Sequence, residues 1–278
     1  MAIKINDLVG SWAASPPILY YQLREKLDDP NSNFEDLAAI IKTDPAMSAR
    51  LLKIVNSAFY GFDEKIDTLS HALNIIGTEQ LTDLALAAIV TSKFQGIPRD
   101  LINMETFWMH SIACGIAARK IAKRMAGVEA EKMYLGGMLH DIGSLILFKE
   151  APEDARKILL RCKESGENLF KVEKEILGYD HAEIGALLLA EWKLSDRLVE
   201  MVKYHHQPVN AGDCLDEACI IARADALVYE MKIGYSGEPG VPELDPMVLE
   251  RIPISDEEII ELKEDIAVQV DDTVRIFF

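Results

Sequence analysis

Gly137-Met138-Leu139-His140-Asp141-Ile142-Gly143 sets an imidazole and a carboxylate side by side within an otherwise apolar run. The preceding segment, Ala130–Leu139, has the helical period, and neighbouring residues at a helix end project about 100° apart. His140 and Asp141 therefore address one cation from two sides. The second oxygen of Asp141 allows it to bridge a further cation, as two-metal sites require.

Working outward, residues of the same chemical type recur in order. His110 lies upstream, and His181, the adjacent pair His205-His206, and Asp225 lie downstream, so five of the six histidines join the series. Imidazole and carboxylate together suit divalent first-row metals, and one or two ions of Fe, Mn or Zn are expected. Asp225 sits among alanine and isoleucine, where a carboxylate is costly to bury without a metal or a donor. Taken singly, each histidine reads as a core or helix-end hydrogen-bonding group. Their number and order favour the metal reading.

Nearly every other segment has the helical period, and β-branched strand-like runs are scarce. The spacing predicts helices from Pro16-Pro17 to Leu27, over Phe34–Lys42, from Pro45 behind an Asp44 cap, over Ile66–Ile76, and over Thr78–Ser92 beyond Gly77. Further helices are expected over Met104–Ala126, Pro152–Glu164, Leu169–Leu177, His181–Trp192, Asp196–His205, Asp216–Lys232 and Ser255–Val270, the last opened by a Ser255/Glu258 capping box. Gly234–Pro246 reads as an exposed loop. The fold class is all-α, a multi-helix bundle. Its expected organisation is an N-terminal helical half (1–97), a second helical half carrying the ligand residues (98–232), and an acidic Gly/Pro loop with a C-terminal helix (233–278).

The 278 residues carry 29 basic and 46 acidic side chains, a net charge of −17. Sequence-independent binding to nucleic acid or to anionic membranes needs the opposite excess, so neither is expected as a partner. No signal peptide and no long apolar span is read, which points to the cytoplasm. Cys114, Cys162, Cys214 and Cys219 form no CxxC pair and read as buried thiols. Arg119-Lys120-Ile121-Ala122-Lys123-Arg124 reads as the solvated face of the His110 helix, and Trp108 and Trp192 as core. Asn56-Ser57-Ala58-Phe59-Tyr60 reads as a packing corner, with Asn56 capping its helix. His71 is assigned no chemistry.

The order His110, His140-Asp141, His181, His205-His206, Asp225 resembles the HD superfamily of metal-dependent phosphohydrolases. More specifically, the chain resembles the HDOD domain, an HD-related output domain of bacterial signalling proteins. The resemblance runs over about residues 10–230, through Asp44-Pro45-Ala46-Met47-Ser48-Ala49-Arg50-Leu51-Leu52, Phe107-Trp108-Met109-His110, Gly178-Tyr179-Asp180-His181-Ala182-Glu183-Ile184-Gly185 and Tyr204-His205-His206-Gln207-Pro208. It implies one metal held by His110, His140, Asp141 and Asp225, and a second held by Asp141, His181, His205 and His206. Were the chain an enzyme, Asp141 and a water activated by the metal would carry the chemistry.

The departures bear on that last point. The related phosphodiesterases that cleave cyclic di-GMP carry a lysine where this chain has Ser144, so a charge that would stabilise phosphate is missing. They also carry Gly-Tyr-Pro after the paired histidines, where this chain reads Gln207-Pro208-Val209-Asn210-Ala211-Gly212. Thr106 replaces a ligating glutamate one turn before His110, with Glu105 on a different face. HDOD domains are taken to be non-catalytic, so the resemblance implies a stand-alone signalling module with a protein partner, or with a nucleotide or phosphate ligand. A metal-dependent phosphohydrolase is the alternative.

Overall fold

The computed structural model describes residues 4–13, 17–57, 60–62, 64–94 and 96–277, and all regular structure among them is helical. Contacts divide the chain into two units, one of Met1–Pro16 with Gly96–Ile266 and one of Pro17–Gln95 with Ala267–Phe278. The first helix, α1 (Ile5–Ala13), belongs to the larger unit and was not expected from the sequence.

The smaller unit contains α2 (Ile18–Asp28), α3 (Phe34–Lys42), α4 (Pro45–Val55), α5 (Leu69–Ile76) and α6 (Thr78–Lys93). Local capping chemistry sets several of these ends. Asn33 and Asp36 form a reciprocal capping box at the start of α3, and Asp44 accepts the Met47 N–H at 3.0 Å ahead of Pro45. The expected helix at Ile66 starts three residues later, because the Thr68 side chain accepts the His71 N–H and caps α5 there. Ile66 is instead held by Asn56, whose amide makes three hydrogen bonds of 2.7 Å, to Leu52 O, Ile66 O and Ile66 N–H. The expected roles of Pro16 and Phe59 fall outside the described residues. The apolar run Leu84–Val90 forms the buried side of α6.

The larger unit continues with α7 (Met104–Ala122), α8 (Ala130–Leu139), α9 (Ile142–Glu150), α10 (Pro152–Ser165), α11 (Leu169–Leu177), α12 (His181–Glu191), α13 (Asp196–Lys203), α14 (Leu215–Glu230) and α15 (Pro246–Arg251). The last helix, α16, spans Asp256–Phe277, longer than the periodicity predicted, and its Ser255/Glu258 box is present. α7 stops four residues short of the expected Ala126. α13 ends at Lys203, so His205 and His206 lie in the turn beyond it rather than on the helix.

Two glycines let the site-bearing helices meet. A Cβ at Gly137 of α8 would lie 2.6 Å from the Cys114 carbonyl oxygen of α7. One at Gly143 of α9 would run into the His181 carbonyl and lie 2.6 Å from the Gly185 nitrogen of α12. Trp108 and Trp192 are fully buried, and Trp192 donates from its indole to the Trp12 carbonyl at 3.1 Å, pinning α1 beside α12.

Two expectations are corrected. Gly234–Pro246 is not an exposed loop throughout. Ser236, Gly237 and Glu238 are buried, because Glu238 Oε2 accepts the Leu169 N–H at 2.9 Å and Ser236 pairs with the Tyr229 hydroxyl. The basic cluster is a solvated face only in part, with Lys123 and Arg124 exposed. Arg119 is buried against Glu131, while Lys120 and Arg124 meet Asp265 and Glu261 of α16. Among the described residues no single helix is long and apolar enough to cross a membrane.

Candidate metal centre

α7 brings His110 to the centre of the larger unit, the α8–α9 junction brings His140 and Asp141, and α14 brings Asp225. His181 is the first residue of α12, fixed there by a capping box in which Asp180 accepts the Glu183 N–H at 2.9 Å and Glu183 accepts that of Asp180 at 3.0 Å. All seven residues expected as ligands lie in one cluster. His206 is partly buried, and the other six are at most 4% exposed.

Asp141 stands between two groups. Its Oδ2 lies 3.0 Å from His140 Nε2 and 3.9 Å from His110 Nε2. Its Oδ1 lies 3.2 Å from His181 Nε2 and 3.7 Å from His205 Nε2. Asp225 Oδ1 closes the first group at 3.0 Å from His110 Nε2 and 3.7 Å from His140 Nε2. His206 Nε2 closes the second at 2.8 Å from His181 Nε2.

The surrounding hydrogen bonds orient the rings. His140 Nδ1 donates to the Gly137 carbonyl at 2.7 Å, and His205 Nδ1 donates to that of Val202 at 2.6 Å. His181 Nδ1 lies 2.6 Å from Glu173 Oε2, which also accepts the His181 backbone N–H. With Nδ1 protonated, the Nε2 lone pair of each ring is directed at the cluster, the tautomer a metal ligand needs. His140 Nε2 and His205 Nε2 are buried without a hydrogen-bond partner, an expensive state that a cation would relieve. The residues fit a metal.

The charges in this pocket are set by one another. Burial alone would lower His140, but the charges of Asp141 and Asp225 beside it carry it up to about 10. Burial and the charge of His140 push His205 down to about 4. Asp141 and Asp225 stay well below the usual carboxylate range, because the neighbouring histidines outweigh their burial. Without a cation the cluster thus balances its carboxylates with protons on histidine, and binding a metal must displace them.

Three contributors were not expected from the sequence. Cys114 is a ligand-competent member of the first group. Glu173 reaches His181 from α11, and Glu238 lies under the loop after α14. His110-x-x-x-Cys114 is a helical i,i+4 pair, and that spacing was the available signal. Nothing local marks Glu173 or Glu238. The departures also have structural counterparts. Thr106 Oγ1 donates to the Asn103 carbonyl in the first turn of α7, and Ser144 is fully buried.

The HDOD domain family matches residues 13–208. An uncharacterised protein of Treponema pallidum (strain Nichols) is 25% identical over 215 residues, 77% of this chain but 41% of that protein, so the chain spans about two fifths of the length of that relative. A solved HDOD domain protein of unknown function from Geobacter sulfurreducens is similar at 22% identity and TM-score 0.78, covering 98% of this chain and 97% of its own. A candidate phosphohydrolase from Shewanella amazonensis SB2B is similar at 23% and 0.76, with 98% of each chain covered. A candidate signal transduction protein from Marinobacter aquaeolei VT8 is similar at 18% and 0.76, covering 100% of this chain and 62% of its own. At these identities the three structures speak to the fold.

Proposed function

The chain belongs to the HDOD domain family, and from that premise we propose that it is a signal-transduction module without turnover of its own, whose metal centre shapes a surface read by a protein partner. The observation that carries this reading is the space beside His205, His206 and Asp225. The cavity that reaches His205, His206 and Asp225 measures about 20 Å³. That is room for a single water, whereas sites for small organic ligands need about 300–1,000 Å³.

The cavity's chemistry points the same way. Its lining adds Glu238, Glu243 and Asp245 to the ligands, with no lysine or arginine among the described residues. A phosphoester would bring negative charge to acidic walls without a cationic side chain to offset it. His110, His140, Asp141 and Asp225 would hold one cation and Asp141, His181, His205 and His206 the other. Such cations lower the pKa of water and neutralise charge on phosphoryl oxygens when substrate reaches them. Here they would chiefly tie α7, α8, α12 and α14 together.

A second reading, a metal-dependent phosphohydrolase, draws on the two oxygens of Asp141 facing separate ligand groups. One experiment separates the two. The chain, purified quickly without chelators or a polyhistidine tag, is supplied with Fe, Mn or Zn and offered nucleotides, cyclic dinucleotides and simple phosphoesters. The signalling reading expects no turnover above a protein-free control. Turnover abolished by Asp141→Ala would establish the enzyme reading in its place.

A further inference from the structure

Cys114 is fully buried one turn after His110 on the same face of α7. Its Sγ turns toward polar partners instead of the surrounding core, 3.4 Å from His110 Nε2 and 3.8 Å from Asp225 Oδ1. The ligand atoms of His110, Cys114, His140 and Asp225 all lie within 4.8 Å of one another. We propose that Cys114 is a further protein ligand of the cation shared with His110, His140 and Asp225, adding a thiolate to the side of the centre that Asp141 bridges and suiting it to a thiophilic metal such as Zn or Fe(II). The inference rests on the reading that the cluster holds a cation.

A buried thiol beside a carboxylate is also what a weak hydrogen-bond donor looks like, so the case needs a second observation. His140 supplies it. Its ring is 0% exposed, its Nδ1 is committed to the Gly137 carbonyl, and its Nε2 makes no hydrogen bond, with Asp141 Oδ2 3.0 Å and Asp225 Oδ1 3.7 Å away. A thiol pairing only with Asp225 leaves that imidazole nitrogen to the Asp141 carboxylate alone, whereas a cation among the four atoms engages it together with the sulfur.

The composition of the site then has consequences. Zinc in closed sites takes four protein ligands drawn from cysteine, histidine and carboxylate, and catalytic zinc keeps one position open. Four ligands from this group, with Asp141 alongside them, fill the coordination shell and leave no position for water. Sulfur also shifts preference away from Mg and Mn, which suit oxygen. The second group, with Asp141, His181, His205 and His206, has no sulfur, so the two halves differ in the metals they favour. On ligation the thiol proton is released to solvent, and no oxidation state changes.

Cobalt(II) titrated into chelator-treated protein tests this directly. The wild type is expected to show visible cobalt bands together with an intense near-ultraviolet sulfur-to-cobalt charge-transfer band. Cys114→Ser should keep visible bands, lose the charge-transfer band, and bind zinc at one site at least about tenfold more weakly, since even groups that only orient a ligand are worth that much. Visible bands without charge transfer in the wild type, or a charge-transfer band that persists in Cys114→Ser, would overturn the role of Cys114 and leave the metal centre standing. No cobalt absorption at all would overturn both. Should Cys114→Ser fail to fold by circular dichroism, the wild-type spectrum, with Cys114→Ala as the second variant, decides the matter.

Discussion

Glu173 holds His181 at two points, accepting its backbone N–H at 2.9 Å and lying 2.6 Å from its Nδ1 through the same oxygen. The carboxyl is fully buried, and both of these bonds run to the histidine it orients. Removing it frees the ring to rotate and to change tautomer. Glu173→Ala is expected to weaken metal binding at the second group by about 10- to 100-fold. Competition with a metal indicator measures this, and an unchanged affinity would show that His181 is positioned by packing alone.

Asp141 is the one residue whose two oxygens face both groups. Asp141→Ala should therefore reduce metal content from about two equivalents to one or fewer, not merely halve the affinity of one site. Elemental analysis of wild type and variant prepared side by side reads the result. A wild type that carries no Fe, Mn or Zn would remove the metal centre from the account.

Burial holds Glu238 up to about 8, against an ordinary 4.5. The folded state thus keeps a proton that the unfolded chain gives up. The stability this contributes is fully present below pH 4.5 and is lost as pH rises through about 8. Glu238→Gln keeps an oxygen for the Leu169 N–H and removes the titration. In metal-free protein the variant should melt above the wild type at pH 9, with the gap closing near pH 4.5. Parallel melting curves across that range would refute this.

Asn56 joins the end of α4 to Ile66 through three hydrogen bonds of 2.7 Å, one to Leu52 O and two to the Ile66 backbone. Asn56→Ala leaves Ile66 without these partners and is expected to cost about 2 kcal/mol. Denaturant unfolding gives the value, and a change within about 0.5 kcal/mol would mean that water replaces the amide without loss.

Gly143 touches the backbone of α12 at His181 and Gly185. A methyl group there has only backbone to displace, so Gly143→Ala should destabilise the protein by at least about 1–3 kcal/mol. It should also lower metal affinity, since it pushes Asp141 away from His181. A variant with unchanged melting temperature and metal content would show that α9 and α12 separate freely.

Much of this molecule is legible locally. The helices over Phe34–Lys42 and Leu169–Leu177 have the bounds their periodicity predicts, and the caps at Asp44 and Ser255 are in place. Misreadings occur where a long-range contact overrides composition. Ser236–Glu238 looks like solvent-exposed loop, but its hydrogen bonds to Leu169 and Tyr229 bury it. Arg119 looks like a surface cation, but Glu131 of α8 gives it a partner inside. Helix α1 was missed because its place is set by α9 and α12, far along the chain.

The sequence by itself determined an all-helical chain and the kinds of atoms available to a metal, because helical period, capping and side-chain chemistry are local properties. Tertiary structure alone decided that Asp141 turns one oxygen toward His140 and the other toward His181, that Cys114 joins the first group, and that about 20 Å³ is left beside His205, His206 and Asp225. Those outcomes depend on how closely α7 meets α8 and α9 meets α12. That distance is set by Gly137 and Gly143 pressing on backbone from distant parts of the chain, a relationship no local pattern encodes.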